Sequence, residues 1–285
     1  MPPVFLYSKV KLHWGFIVRQ LGASAAQLAY VLPPPPTVVG SFMNPLARIL
    51  GLSEVLNPKE GPAGSRVMSC ALRASHSAAA GLDPDGQVGI TVHAEPSRIT
   101  AALYKTGGNY ERALRQPAYL AADRLLPVQA VGAASSPKGV LVLAWLIDPQ
   151  ALSKCVGVSV EPKTLEAAAW SVYRVGSREG LVSVIEARLF HESELEMVSE
   201  GDIFDSIFYQ PEECTKPLTS TAKVTLYDSF YKERSYLAPS LAGGSTGVTP
   251  PVEPASFELK SGCRAFRPRN APHLTLSYPA APEVV

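Results

Sequence analysis

Basic and imidazole side chains alternate with apolar ones in residues 4–19, near the amino end of the chain. The polar members are spaced by multiples of two: Tyr7, Lys9, Lys11, His13 and Arg19. Because side chains two apart on a strand point to the same side, this spacing predicts a strand with one polar face. Cations neutralise phosphates and aromatic rings stack on bases, so the face suits single-stranded nucleic acid. An ordinary solvated strand face is the alternative interpretation.

His13 is the best single candidate for general acid–base chemistry, because it shares this face with two lysines and a tyrosine. Metal-free RNA cleavage needs a base for the 2′-hydroxyl, an acid for the leaving oxygen and a cation for the phosphorane. These residue types are present but are common in proteins. The sequence therefore keeps a metal-independent endoribonuclease as the alternative to a protein that only binds RNA.

Motifs for other chemistries are absent from the sequence. It has no P-loop, no dinucleotide-binding glycine fingerprint, no HExxH and no GxSxG, and its five histidines lack metal-ligand spacing. We therefore expect no cofactor and no metal. The four cysteines form no CxxC pair, and we expect reduced, buried thiols at Cys70, Cys155, Cys214 and Cys263.

Opposite charges are segregated along the chain although the net charge is only +1. Residues 1–50 and 259–282 each contain four Lys or Arg and no acid, whereas residues 189–215 contain eight acids and no Lys or Arg. Such segregation creates local fields that the total charge hides. If the chain binds RNA, we expect both basic ends to flank the binding face, and the acidic segment to point away from it, toward a protein neighbour. Accidental clustering on solvated loops is the alternative.

A helix is predicted after the proline run 33–36. Apolar residues recur at helical spacing in the segment that follows: Val38, Phe42, Leu46, Ile49 and Leu50. Thr37 is a candidate N-cap, and Gly51 supplies the stop. Pro45 either kinks the helix or marks the start of its regular part. Gly40 carries no side chain near the first turn, where a ligand could approach the backbone.

The remaining pattern predicts an α+β protein. Residues 139–148 form a buried strand, 162–175 a helix and 181–190 a strand, while 66–80 fit a strand or a helix. The order strand, helix, strands, strand, helix, strand suits a ferredoxin-like or RNA-recognition-type sandwich with long insertions. We expect that domain to span 1–190, with a mostly β region over 191–285 packed on it.

No apolar run reaches membrane-spanning length, and the amino end lacks a signal-peptide pattern, so we expect a cytoplasmic protein.

At the turn 176–180, Arg178 could contact phosphate; pairing with Glu179 or Glu166 is the alternative.

Three motifs, in this order, resemble the fifth family of CRISPR-associated proteins. They are KLHWGF at 11–16, PPPPTVVGSF at 33–42 and GSREGLVSV at 176–184. The similarity is to the archaeal type I-A branch and covers about residues 4–190. Gly40 matches the glycine of the proline-led helix, and Arg178 replaces the lysine of the turn, which keeps the charge and adds bidentate phosphate geometry.

The resemblance implies a RAMP fold, a modified RNA-recognition sandwich. It also implies a role in antiviral defence: a subunit that caps one end of a Cascade surveillance complex and grips the 5′ handle of the CRISPR RNA. Its partners would be that RNA, the repeating backbone subunit and the large subunit. Most such subunits are non-catalytic; the type I-C branch cuts the repeat with a Tyr, Lys and His set that does not map onto this sequence. Tyr7 is the expected stacking platform for a base. The other expected RNA-binding residues are Lys9, Lys11, His13, Arg19, Gly40, Arg48 and Arg178.

Overall fold

The computed structural model describes residues 3–13, 16, 18, 30, 32–52, 66–83, 89–94, 128–133, 139–176, 180–239 and 253–280. The helices are α1 Pro35–Ile49, α2 Arg66–Ala74, α3 Pro149–Val156 and α4 Pro162–Trp170. The first six strands are β1 Val4–Leu12, β2 Ser75–Leu82, β3 Gly89–Ala94, β4 Val128–Ala133, β5 Val140–Ile147 and β6 Val182–Phe190. The others are β7 Leu195–Val198, β8 Ile203–Ser206, β9 Gln210–Pro211, β10 Thr215–Pro217, β11 Thr221–Tyr227, β12 Glu233–Pro239, β13 Ala255–Leu259, β14 Cys263–Pro268 and β15 Leu276–Pro279.

A four-stranded antiparallel sheet forms the centre of the molecule, with the strand order β2-β5-β1-β6. Helices α1 and α2 connect β1 to β2, and α3 and α4 connect β5 to β6. The β3–β4 hairpin lies between β2 and β5 in the chain. Strand β1 therefore lies inside the sheet, with a neighbour on each side.

One face of this sheet packs against the helices. The even-numbered residues of β1 are all buried on it: Val4, Leu6, Ser8, Val10 and Leu12. The Ser8 hydroxyl donates to the Ala169 carbonyl of α4 at 3.2 Å, and the Trp145 indole donates to the Val38 carbonyl of α1 at 3.0 Å. The predicted period of two is thus confirmed for β1, because every second side chain enters the helix-covered core.

Helix α1 begins three residues earlier than the sequence predicts. Pro34 is its N-cap, so the prediction of Thr37 as N-cap is wrong. Proline suits the first turn because its missing N–H has no partner there anyway. Pro45 lies inside the helix, not at its start. Gly51 follows the last turn with φ +65°, a left-handed conformation that glycine adopts without strain, and so confirms the predicted stop.

The carboxyl-terminal strands cover part of the other face of the central sheet. They form three small sheets, ordered β10-β13-β8, β11-β12-β9 and β15-β14-β7. Gly81 of β2 approaches this layer so closely that a Cβ there would lie 2.4 Å from the Ile207 carbonyl oxygen. Tyr209 is fully buried and donates to the Pro33 carbonyl at 2.9 Å. One hydrophobic core includes residues from both sides of position 190, so the division into 1–190 and 191–285 stays a prediction.

Two disulfides join the four cysteines, which makes the prediction of reduced thiols wrong. Cys70 of α2 bonds Cys155 of α3, and Cys214 bonds Cys263 of β14; each pair has its Cα atoms 5.5 Å apart. The partners are 85 and 49 residues apart in the chain, so only the tertiary fold brings them together. None of the described helices is long and apolar enough to cross a membrane.

Candidate nucleic-acid interface

The face of the central sheet opposite the four described helices is open at the end of β1. The carboxyl-terminal strands bury Phe5 and Tyr7, but Lys9 is only partly buried, and Lys11 and His13 are exposed. Strand β6 adds Ser183 opposite Lys11 and Glu186 opposite Lys9. We call these five residues, Lys9, Lys11, His13, Ser183 and Glu186, the β1 strip. The structure therefore brings together three of the predicted site residues on one accessible surface.

Lys9 is held between two carboxylates. Its Nζ lies 3.0 Å from Asp83 Oδ2 and 3.8 Å from Glu186 Oε2. The Asp83 side chain is only 8% exposed, so Lys9 balances a nearly buried negative charge. Part of the Lys9 charge is thus used within the protein and is not available to a phosphate.

Lys11 carries the accessible positive charge of the β1 strip, and His13 lies beside it. Among the residues that the structure describes, no carboxylate lies within ion-pair distance of Lys11. The His13 Nε2 lies 2.9 Å from Ser183 Oγ, which fixes the ring beside the lysine. A ligand phosphate at this position would meet an ammonium, an imidazole and a hydroxyl, all of which can donate hydrogen bonds.

Tyr7 does not offer an open ring face, which corrects the expectation of a stacking platform. It is 4% exposed, and its ring stacks on Phe190 with centroids 5.8 Å apart. Its hydroxyl donates to Glu186. Burial raises the pKa of Tyr7, and the bond to the Glu186 carboxylate raises it further, so the phenol stays protonated.

His273 is a neighbour of the β1 strip that the sequence did not indicate. It lies in the loop between β14 and β15, near Lys9 and Asp83. Burial lowers the pKa of His273, and the positive charge of Lys9 lowers it further, while Asp83 raises it. No local pattern links positions 9, 83 and 273; only the packing of the carboxyl-terminal region on the sheet does.

The other predicted site residues lie elsewhere. Gly40 is in α1, where a Cβ would lie 3.7 Å from the Met68 methyl of α2, so helix packing occupies its open side. Arg48, at the end of α1, places its guanidinium 5.5 Å from the ring centroid of Tyr173 in the helical layer. Arg19 and Arg178 lie outside the described residues.

The acidic segment 189–215 contributes strands and makes ion pairs within the chain. Its pairs include Glu194 with Arg188 at 2.6 Å, Glu196 with Arg267 at 2.9 Å and Glu212 with Lys223 at 2.7 Å. Arg267 belongs to the carboxyl-terminal basic segment, so part of the charge of both segments is balanced internally. Among the described residues, no group of three or more His, Cys, Asp or Glu could hold a metal ion.

Two curated proteins of Saccharolobus solfataricus are similar in sequence. "CRISPR-associated protein Cas5 3" is 29% identical over 185 residues, which is 63% of this chain and 63% of that protein. "CRISPR system aCascade subunit Cas5 1" is 26% identical over 238 residues, or 81% of this chain and 82% of that protein.

This chain is a homologue of the Cas5 proteins. A crystal structure of a CRISPR protein from Archaeoglobus fulgidus has the same fold, with a TM-score of 0.58 and 15% identity. The superposition covers 98% of this chain and all of that one. No family model matches the sequence. The β1 strip and the central sheet thus lie in a chain whose relatives carry Cas5 names.

Proposed function

We propose that this Cas5 homologue is the CRISPR RNA-binding subunit of a type I-A Cascade surveillance complex in antiviral defence. It grips the 5′ repeat-derived handle of the guide and caps the filament of backbone subunits, next to the large subunit. The observation that carries this proposal is the open, cation-bearing end of a sheet face that none of the described helices covers. The name of one relative, an aCascade subunit, supports the same role.

The topology supports a RAMP domain of the ferredoxin-like type. A chain order of strand, helix, two strands, helix and strand is that of the split βαβ unit, and the sheet order here is β2-β5-β1-β6. RNA-recognition modules of this kind bind single strands on a four-stranded sheet. In this chain the carboxyl-terminal strands cover part of that face, and the β1 strip lies on the part that remains accessible.

Binding without cleavage fits the chemistry of the β1 strip. Tyr7 is buried with its pKa raised, and Lys9 is engaged by two carboxylates, so neither is placed to transfer a proton to RNA. Lys11 and His13 suffice for phosphate contacts, which need only positive charge and donors.

Lys11→Ala tests the proposed function. Lys11 is preferable to Lys9 because its removal leaves no buried carboxylate behind. With a single-stranded RNA copy of the repeat, we expect weaker binding and a plot of log K against log salt that is flatter by about 0.7. Lys223→Ala, a matched exposed lysine on β11, should leave affinity and slope unchanged. An unaltered slope in Lys11→Ala would contradict the role of the β1 strip.

The endoribonuclease alternative has its own test, since His13 is exposed beside Lys11 and hydrogen-bonded to Ser183. Labelled repeat RNA is incubated with the purified protein in the presence of a chelator that removes metal ions. We expect intact RNA. A discrete product that disappears in His13→Ala would favour the enzyme instead.

A further inference from the structure

Two guanidinium groups each lie close to one tyrosine ring at the end of the sheet where the β1 strip lies. The Arg48 guanidinium carbon is 5.5 Å from the ring centroid of Tyr173, and that of Arg174 is 5.8 Å from it. Both distances fall within the range of cation–π attraction. This attraction offsets the repulsion between the two positive charges beside the ring. We call Arg48, Tyr173 and Arg174 the arginine clamp.

The ring of the clamp is rigidly placed. The Tyr173 hydroxyl donates to Asn44 Oδ1 of α1 at 2.9 Å, and its carbonyl accepts from the Val182 amide of β6 at 2.9 Å. The flanking Val172 and Val175 are buried. The ring therefore needs no reordering to present the two guanidiniums, which reduces the entropy cost of binding a ligand.

The clamp is continuous with the β1 strip through the backbone. Val182, which bonds Tyr173, pairs with Leu12 of β1, and the neighbouring pair on the opposite face is Lys11 with Ser183. The clamp thus lies on the helix side of the same strand end whose other side carries Lys11 and His13. Arg48 is exposed and Arg174 partly exposed, so a ligand in solvent can reach both.

We propose that the arginine clamp binds a backbone phosphate of the same single-stranded RNA that occupies the β1 strip, where the strand passes around this end of the sheet. This inference rests on the proposed function. Guanidinium groups bind phosphate oxygens through paired, parallel N–H donors, and two of them beside one ring match the charges of two neighbouring phosphodiesters. A carboxylate of a protein partner has similar chemistry and is distinguished by the test.

The test uses Arg174→Gln, which removes one cation from the clamp, together with Arg174→Lys, which keeps the charge. The probe is a single-stranded RNA copy of the repeat, titrated at several salt concentrations. We expect Arg174→Gln to flatten the salt dependence by about 0.7, and Arg174→Lys to retain the slope with lower affinity. Arg73→Gln is the matched control, because Arg73 lies at the opposite end of the sheet. It precedes β2, and the first residue of β2 pairs with Ile147 at that end. Urea unfolding of each variant verifies that the fold is intact.

The outcomes separate this inference from the proposed function. If Lys11→Ala flattens the salt dependence and Arg174→Gln does not, the clamp is not an RNA site, while the β1 strip stands. If neither variant changes the slope, both fail. If Arg174→Gln leaves RNA binding intact but weakens assembly with the other Cascade subunits, the clamp binds protein, and the inference is overturned.

Discussion

Individual side chains of the β1 strip show what an alternating pattern can and cannot predict. The period of two correctly placed Lys9, Lys11 and His13 on one face, because a strand leaves no other choice. It could not reveal that Asp83 and Glu186 contact Lys9, since Asp83 follows the end of β2 and Glu186 lies in β6. Burial of Tyr7 was also invisible, because the layer that covers it lies in the last third of the chain.

Lys9 should matter for stability as well as for binding. In Lys9→Ala the nearly buried Asp83 carboxylate loses its lysine. We expect a loss of about 1–3 kcal/mol in the free energy of unfolding. Adding Asp83→Asn should recover part of that loss, because the nearly buried charge that lost its lysine is then gone. Urea denaturation of the two single variants and the double variant measures the coupling. Strictly additive losses would show that the pair does not stabilise the fold.

Lowering the pH should destabilise the protein through His273. Its pKa in the folded state is lowered, chiefly by burial, so above about 6.5 both the folded and unfolded states carry a neutral ring. Between that value and the folded-state pKa the unfolded chain binds more protons, and stability falls as the pH falls. We expect His273→Gln to reduce this loss between pH 7.5 and 5, measured by urea unfolding. His76, whose pKa is also lowered, accounts for part of the loss of stability that remains in the variant. An identical pH dependence in the variant would contradict the assignment.

At the scale of elements, long periodic segments were predicted and short ones were not. Strand β5, strand β6 and the start of α4 lie where the sequence placed them. Helix α4 ends at Trp170, before the predicted residue 175, because residues 173–175 bond to 180–182 instead of continuing the helix. Residues 66–80 could not be assigned because α2 passes directly into β2 within them. Strands of two to four residues, such as β9 and β10, carry too few positions to show a period.

Gly40→Ala should strengthen α1. Glycine inside a helix costs about 0.5–1 kcal/mol relative to alanine, and the new Cβ would meet the Met68 methyl at an ordinary contact distance of 3.7 Å. We therefore expect a higher melting temperature and unchanged affinity for repeat RNA. Gly51→Ala is the contrasting control, because φ +65° makes alanine unfavourable there. Weaker RNA binding by a stable Gly40→Ala variant would restore Gly40 to the interface.

The whole molecule is held together by contacts that join distant parts of the chain. Strands β1, β5 and β6 of the central sheet were predictable from their patterns, whereas β2 was not assigned. The disulfides were not predictable, since no motif marks cysteines that are 85 or 49 residues apart. The carboxyl-terminal layer decides which part of the sheet stays open, and its position follows from close contacts such as that of Gly81 with Ile207, not from any local pattern.

The disulfide between Cys214 and Cys263 should stabilise the carboxyl-terminal layer. Replacing both cysteines by serine removes a covalent link between the segment before β10 and strand β14, and we expect a loss of about 2–4 kcal/mol. Differential scanning calorimetry with and without a reductant measures it: the native chain should melt lower when reduced, and the double variant should respond less. Equal melting temperatures of the reduced and oxidised native chain would show that the bonds do not contribute.

The most direct measurement of the central claim is photo-crosslinking of repeat RNA that carries 4-thiouridine in its 5′ handle, followed by mass spectrometry of the linked peptides. The β1 strip predicts crosslinks to the peptides that contain residues 9–13 and 182–188, and their loss when unlabelled RNA competes. Crosslinks confined to the carboxyl-terminal strands, with the end of β1 unmodified, would contradict it.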